Sequence, residues 1–136
     1  MTSKVIYTGG LRTEATHLRS GSKIENDAPV DNHGKGERFS PTDLVATALA
    51  TCIFTTLGIG GATHGIDIEG AECTVEKIMA SNPRRISEIK IDFHFPKSAT
   101  YTAKERQIIE NTARTCPVME SLHPDLVKTL TFNWPL

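Results

Sequence analysis

Residues 39–52 read FSPTDLVATALATC, and this stretch decides the fold because it marks the start of a long helix. Ser40 is a good N-cap, Pro41 suits the first helical position, and Asp43 completes a capping box with Ser40. The residues that follow are apolar on almost every side of the helix, which predicts that the helix is buried. Gly65 is expected to follow the C-cap and so to end this helix.

The segments on either side of this helix have the pattern of β-strands. Residues 1–30 alternate in polarity and are interrupted by glycine turns, which predicts two or three antiparallel strands. Residues 27–39 are rich in turn-forming residues and predict a loop. Residues 66–79 predict one long strand, and the clean alternation of residues 89–95 predicts a strand with one buried face.

The last third of the chain adds two helices and a strand. Thr102 and Glu105 form a second capping box, which opens an amphipathic helix. A short helix is expected over residues 116–122 and a closing strand over residues 126–134. The predicted order is therefore β-β-β-α-β-β-α-α-β, which is typical of the α+β class. A chain of 136 residues fits a single domain, residues 1–136.

The composition narrows the function classes. Hydrophobic residues make up 38% and charged residues 23% of the chain, as in soluble globular proteins. The net charge of −1 gives no basic excess, so no nucleic-acid partner is expected. No stretch approaches the roughly 18 apolar residues that a membrane span needs, and the N-terminus is too polar for a signal peptide. We therefore expect no membrane partner and a cytoplasmic location.

The three cysteines form an odd set, which argues against a disulfide framework. Cys52 lies in the middle of the first helix, where it either packs as a small hydrophobe or reacts with the help of a nearby cation. Cys116 precedes Pro117 at the start of a helix, where free N–H groups favour a thiolate, or it merely fills the N-cap. Cys73 is assigned to packing on a strand. The spacing of histidines, cysteines and glycines predicts neither a metal site nor a cofactor.

Two motifs together resemble the OsmC/Ohr superfamily, named after osmotically inducible protein C and organic hydroperoxide resistance protein. Residues 39–52 resemble its central-helix motif, which ends on a reactive cysteine, and residues 114–122, RTCPVMESL, resemble its second motif. The separation of the two cysteines and the order of elements also fit, so the resemblance covers nearly the whole chain. GGLRTEATH at 9–17 and GKGE at 34–37 resemble the uncharacterised OsmC-like branch.

The resemblance implies a fold with antiparallel sheets around a central buried helix, and an intertwined homodimer with active sites at its interface. It also implies a thiol-dependent peroxidase. Cys52 attacks an organic hydroperoxide and becomes a sulfenic acid, and Cys116 resolves it to a disulfide. A dithiol reductant, such as a lipoyl protein, then restores both thiols.

Such a peroxidase needs a cation beside its attacking thiol. The resemblance implies an arginine from the N-terminal strands that is held by a glutamate in the helix motif. Arg12 is the first candidate, with Arg19 and Arg38 as alternatives, and any of them can instead be a surface residue. Thr42 occupies the glutamate position, so Asp43 either substitutes for it or serves only as a helix cap. This departure leaves open an alternative function, a redox-sensing or small apolar ligand-binding protein with little peroxidase turnover.

Overall fold

The first helix, α1, spans Pro41–Thr63 in the computed structural model, which describes residues 1–97 and 99–135. The Ser40 hydroxyl accepts a hydrogen bond from the Asp43 N–H at 3.1 Å. The Asp43 carboxylate accepts one from the Ser40 N–H at 3.0 Å. Both bonds of the predicted capping box are present, so the predicted start of the helix is confirmed.

The other end of α1 is closed by two backbone hydrogen bonds. The Ile66 N–H donates to the Gly61 carbonyl at 2.8 Å, and the Gly65 N–H donates to the Ala62 carbonyl at 3.3 Å. Gly65 has a φ of 67°, a left-handed conformation that glycine adopts without steric cost. This pair of bonds is the Schellman arrangement, and it confirms Gly65 as the residue that ends the helix.

Burial along α1 is confined to one face. Val45 and Ile59 are exposed in the single chain, Ile59 to 75%. The prediction of burial on every side is therefore wrong for the single chain, because only one stripe of the helix packs into a core. That stripe is Ala46, Leu49, Ala50, Ile53, Leu57 and Gly61.

Helix α1 also corrects the expectation that no stretch is apolar enough for a membrane span. It has 23 residues and a mean hydropathy of 1.7 over its best window, so it is long and apolar enough to cross a bilayer. Length and composition are weak indicators here, since the core helix of a soluble protein passes the same test.

Contacts divide the chain into two compact units, which we call the N-terminal unit, Met1–Val45, and the C-terminal unit, Ala46–Leu136. The N-terminal unit contains strands β1, Ser3–Gly9, β2, Arg12–His17, and β3, Lys23–Asp27. They form one antiparallel sheet in the order β1-β2-β3, as predicted. The loop that follows β3 includes a short 3-10 helix, Val30–Asn32.

The C-terminal unit is built on a second three-stranded sheet. Its strands are β4, Glu72–Ala80, β5, Arg85–His94, and β6, Val127–Asn133, in the order β4-β5-β6. The β4–β5 pair is antiparallel, but the β5–β6 pair is parallel, which corrects the expectation of antiparallel sheets. A parallel pair needs a crossover connection. Helices α2, Ala103–Ala113, and α3, Pro117–Ser121, lie in the connection between these strands.

The predicted long strand over residues 66–79 is half wrong, because β4 begins only at Glu72. The residues before it form turns. The Asp67 carboxylate accepts a hydrogen bond from the Glu69 N–H, and the Ala71 N–H donates to the Ile68 carbonyl. Gly70 then adopts a φ of 89°. Local side-chain bonding therefore overrides the apolar pattern in this segment.

The core of the C-terminal unit lies on the inner face of its sheet. Ile89, Ile91 and Phe93 are fully buried, which confirms the alternation predicted for this strand. Phe54 of α1 packs edge-on against Phe93, with ring centroids 5.3 Å apart. The order of the helices and strands is the predicted one, and the class is α+β.

Candidate active site

Cys52 lies on α1 in the C-terminal unit. Its side chain is half-buried and packs against the buried core. Its carbonyl accepts a hydrogen bond from the Thr55 hydroxyl at 3.0 Å, one turn along the helix. The thiol is therefore held on a rigid helix and keeps some contact with solvent.

Cys116 is the N-cap of α3 and is fully buried. Its sulfur accepts a hydrogen bond from the Met119 N–H at 3.3 Å. Pro117 occupies the first turn of this helix, as the sequence predicted. The cysteine side chain thus takes the place that serine or aspartate usually fills at a helix start.

Cys116 is buried in the core cluster against which Cys52 packs, and the two thiols interact electrostatically. Burial raises the pKa of the Cys116 thiol, and the electrostatic interaction with Cys52 raises it further. The N–H groups of Met119 and Val118 lower this pKa, but burial outweighs them. The sequence predicted that the helix start favours a thiolate, and this effect is present but is not the larger one. Two thiols that lie near each other can form a disulfide once either is oxidised.

Cys73, the third cysteine, lies on β4 opposite Phe93 of β5. It is half-buried against the core, as the assignment to packing predicted. Burial raises the pKa of its thiol, which disfavours the reactive thiolate.

Arg12 lies in the N-terminal unit and is held by two carboxylates. Its Nε and Nη2 donate to the two oxygens of Asp27 at 2.6 and 2.8 Å, and its Nη2 also donates to Glu37 at 3.2 Å. The Asp27 side chain is 1% exposed, whereas that of Glu37 is 58% exposed. The hydrogen bond with Arg12 lowers the pKa of Asp27, so this carboxylate is ionised at neutral pH.

Asp43 and Thr42 lie in the first turn of α1. Thr42 occupies the position of the expected glutamate, and Asp43 is the residue that can substitute for it. The Asp43 carboxylate makes the capping-box bond to the Ser40 N–H. The Thr42 hydroxyl lies 3.2 Å from that of Ser40. The cap is therefore one established role of Asp43, and its catalytic role stays a prediction.

The other two candidate arginines have different surroundings. Arg38 donates to the Glu37 carbonyl at 2.9 Å and lies 3.7 Å from the Glu25 carboxylate. Arg19 is exposed in the turn between β2 and β3. Of the three, Arg12 makes the bidentate carboxylate pair, the geometry that fixes the plane of a guanidinium.

Sequence reasoning missed Asp27 and Glu37. Asp27 faces Arg12 across the β2–β3 pair, so a correct strand register would have found it. Glu37 belongs to the GKGE stretch, which was noted only as a mark of the branch. Its ion pair joins residues 25 positions apart, a separation that no local pattern encodes.

Metal ligation has no candidate in the part of the chain that the structure describes. Residues 1–97 and 99–135 contain no group of three or more histidine, cysteine, aspartate or glutamate side chains placed to hold an ion. The candidate site therefore consists of the thiols and of the Arg12 guanidinium that Asp27 and Glu37 hold.

Comparisons with known proteins give the family. A family model described as OsmC-like protein matches residues 34–130. A Psychrobacter arcticus structure, described provisionally as an osmotic stress induced and detoxification response protein, is 50% identical, with 98% of this chain and 96% of that chain covered and a TM-score of 0.93. No match is found among the curated proteins.

More distant structures share the fold. A Legionella pneumophila protein described as organic hydroperoxide resistance protein OsmC is 14% identical, with 100% of this chain and 98% of that chain covered and a TM-score of 0.73. An OsmC-like protein from Mycoplasma pneumoniae is 17% identical, with 98% and 96% covered and a TM-score of 0.79. These likenesses confirm the OsmC/Ohr-type fold that the two cysteine motifs predicted.

Proposed function

We propose that this chain, which belongs to the OsmC-like family, is a thiol-dependent peroxidase that reduces organic hydroperoxides. The packing of Cys52 and Cys116 into one core cluster, with an electrostatic interaction between their thiols, is the observation that carries this proposal. A peroxidase of this kind needs one thiol to attack the peroxide and a second within reach to form a disulfide.

In the first step, Cys52 acts as the attacking residue. Its thiolate attacks the terminal oxygen of ROOH, an S–O bond forms and the O–O bond breaks. The alkoxide leaves as the alcohol ROH after taking up a proton, and the sulfur becomes a sulfenic acid. The sulfur is oxidised by two electrons and the peroxide is reduced by the same two. The half-buried position of Cys52 supports this role because the residue keeps some contact with solvent.

In the second step, Cys116 resolves the sulfenic acid. Its sulfur attacks that of Cys52, an S–S bond forms, and the hydroxyl group leaves with a proton as water. A dithiol reductant, which we propose to be a lipoyl protein, then reduces this disulfide and is itself oxidised to a cyclic disulfide. The electrostatic interaction between the two thiols supports this step because it indicates that their sulfurs lie near each other.

The cation that stabilises the Cys52 thiolate and polarises the peroxide is, in this proposal, Arg12. Its guanidinium carries a permanent positive charge. The bidentate bond to Asp27 fixes its plane, which supports a role in positioning charge. Asp43 contributes by fixing the first turn of the helix that carries Cys52.

We further propose that the protein acts as a cytoplasmic homodimer with no nucleic-acid or membrane partner. Val5, Tyr7 and Ile24 are exposed large apolar residues that point to one face of the N-terminal sheet, Tyr7 to 64%. Such a face needs a cover in solution. Light scattering should give twice the chain mass of 14.9 kDa. Tyr7→Glu should reduce it to the mass of one chain, and a wild-type protein of single mass would refute the dimer.

A coupled peroxidase assay tests the function. Purified protein with cumene hydroperoxide and dihydrolipoamide should turn over repeatedly, and Cys52→Ser should lower kcat by at least about 1,000-fold. Cys73→Ser is the matched control and should stay within about twofold of the wild type, since its thiol is assigned to packing. Undiminished turnover by Cys52→Ser would refute the proposal.

One observation favours the alternative of a redox sensor with little turnover. Cys116 is fully buried and burial raises the pKa of its thiol, which lowers the thiolate fraction that the resolving step needs at neutral pH. A sensor would oxidise once per chain and keep the disulfide in the presence of dihydrolipoamide. Single-turnover and multiple-turnover measurements on the same sample separate the two functions.

A further inference from the structure

We propose that Asp27 is the fixed positioning residue of Arg12 and that Glu37 is its exchangeable partner. The inference rests on the proposed function and adds to it two residues outside the helix motif. It gives the guanidinium an anchor in a chain that has Thr42 where the resemblance leads one to expect a glutamate. Three observations within the N-terminal unit carry it.

The first observation is the geometry of the Asp27 bond. Both carboxylate oxygens accept from Arg12, one from Nε at 2.6 Å and the other from Nη2 at 2.8 Å. Arg12 and Asp27 are direct cross-strand partners in the β2–β3 pair, so the backbone register fixes their approach. Two parallel hydrogen bonds from a planar group define its orientation as well as its position.

The second observation is how firmly Asp27 itself is held. Its carboxylate also accepts a hydrogen bond from the Glu37 N–H at 3.1 Å, and its own N–H donates to the Phe39 carbonyl at 3.2 Å. The side chain is almost wholly buried. A buried carboxylate with three hydrogen bonds stays ionised and stays in place, which is what an anchor requires.

The third observation is the contrast with Glu37. Its carboxylate is mostly exposed and makes one bond to Arg12, at 3.2 Å to the same Nη2 that Asp27 uses. An exposed single-bond ion pair of this kind contributes little to stability and exchanges readily with water. Within residues 1–97 and 99–135, the hydrogen bonds of Arg12 are made through Nε and Nη2. Its Nη1 is therefore the nitrogen that can be offered to an anionic sulfur or a peroxide oxygen.

The same contacts connect two stretches whose resemblance to the OsmC-like branch was noted from the sequence. Arg12 belongs to the GGLRTEATH stretch and Glu37 to the GKGE stretch. Their side chains form an ion pair, and we call Arg12 with the carboxylates of Asp27 and Glu37 the clamp. A Cβ built at Gly10 would lie 3.7 Å from the Lys35 ammonium, so the glycine turn also approaches the loop. The two stretches therefore form one structural feature around the guanidinium.

Peroxidase kinetics of three variants test the assignment. Asp27→Asn should lower kcat at least about tenfold with little change in KM, because a misaligned guanidinium stabilises the reacting charges less. Glu37→Gln should stay within about threefold of the wild type in both constants. Glu14→Gln removes another exposed glutamate of the same sheet, paired with Lys23 at 3.4 Å, and should leave both constants unchanged. Wild-type kcat in a folded Asp27→Asn protein would overturn the proposal.

A measurement on the clamp itself keeps the proposal testable if Asp27→Asn does not fold or if the wild type shows no turnover. The Arg12 Nε–H signal in ¹⁵N NMR should exchange slowly with water in the wild type and equally slowly in Glu37→Gln. Fast exchange in the wild type would overturn the role of Asp27, and fast exchange in Glu37→Gln would overturn the exchangeable role of Glu37. Slow exchange in both, together with no peroxidase activity, would refute the proposed function and leave the clamp intact.

Discussion

The two units of this chain bury opposite kinds of residue. The C-terminal unit buries Ile, Leu and Phe side chains around one sheet face and places the Cys116 thiol among them. The buried residues of the described N-terminal unit are Asn26, Asp27 and Ser40, while most of its large apolar side chains are exposed. One unit is thus stabilised by apolar burial and the other by hydrogen bonds and ion pairs. The apolar unit holds the thiols, and the polar unit holds the charge that we propose for their activation.

The largest loss of stability is expected when the Phe93 side chain, at the centre of the apolar core, is truncated. Phe93 is fully buried between Phe54 and Phe132, both at 5.3 Å between ring centroids. Phe93→Ala should lower the free energy of unfolding by about 3–5 kcal/mol, because it leaves a cavity. Chemical denaturation measures it.

Val127→Ala on the same sheet is the control for this prediction. Val127 is exposed, so its truncation should cost less than about 0.5 kcal/mol. Equal losses from both variants would show that this sheet face is not the core.

Each unit also has one glycine pressed against a carbonyl oxygen. A Cβ at Gly34 would lie 1.7 Å from the Ala28 oxygen, and one at Gly61 would lie 2.7 Å from the Ile66 oxygen. Each change to alanine should cost about 1–3 kcal/mol, with Gly34→Ala the larger because its overlap is deeper.

Gly21→Ala is the comparison variant without overlap, because it changes only the conformational cost of the backbone. Its Cβ would meet nothing within 4 Å, but its φ of 76° is left-handed, so a cost of about 1 kcal/mol is expected. Thermal unfolding of the three variants ranks them. A larger loss from Gly21→Ala than from Gly34→Ala would contradict the tight loop.

The buried thiol predicts how disulfide formation depends on pH. Because the pKa of Cys116 is raised, only a small thiolate fraction is present at neutral pH. The rate of disulfide formation after one equivalent of hydroperoxide should therefore rise about tenfold per pH unit until that pKa is reached. Stopped-flow fluorescence of Trp134, the single tryptophan, can follow it. A rate independent of pH above neutrality would contradict the burial of this thiol.

The smallest effect on stability is expected from the ion pair between Asp27 and Arg12 at acid pH. The pKa of Asp27 is lowered in the folded chain, mainly by its hydrogen bond with Arg12. The stability that this pair contributes is complete above the ordinary aspartate pKa of about 3.9 and is lost as the pH falls through the lowered folded value. Asp27→Asn should therefore flatten the loss of stability in acid, as measured by urea unfolding at a series of pH values.

Asp125→Asn is the matched control for the acid experiment. The Asp125 side chain is fully accessible and lies 3.9 Å from the His123 ring, so its removal should leave the acid dependence unchanged. An acid dependence that Asp27→Asn leaves intact would show that the buried ion pair does not form.

Most of the fold could be predicted from local patterns, and the exceptions have physical reasons. Both capping boxes and the alternation of β5 depend on neighbours three or two residues away, and each was predicted correctly. The parallel partner of β5 lies beyond two helices, so alternation could not give its direction. The extent of burial on α1 depends on what covers each of its sides, which composition does not encode.

The candidate site also contains residues that local sequence patterns reveal and residues that they do not. The Cys52 and Cys116 motifs could be found because each combines a cysteine with local helix signals. Glu37 could not, because its bond to Arg12 spans 25 positions, and Asp27 required the register of the β2–β3 pair, which the polarity pattern does not fix. The departure at Thr42 was visible in the sequence, whereas the two carboxylates that hold Arg12 were visible only in the folded chain.

The central claim is that Cys52 and Cys116 form a redox couple. Mass spectrometry after one equivalent of cumene hydroperoxide, with free thiols blocked before digestion, tests it most directly. We predict a peptide in which Cys52 is linked to Cys116, a blocked Cys73, and loss of the link on addition of dihydrolipoamide. Both cysteines blocked as free thiols, or Cys52 oxidised to a sulfinic acid with Cys116 unlinked, would contradict the account.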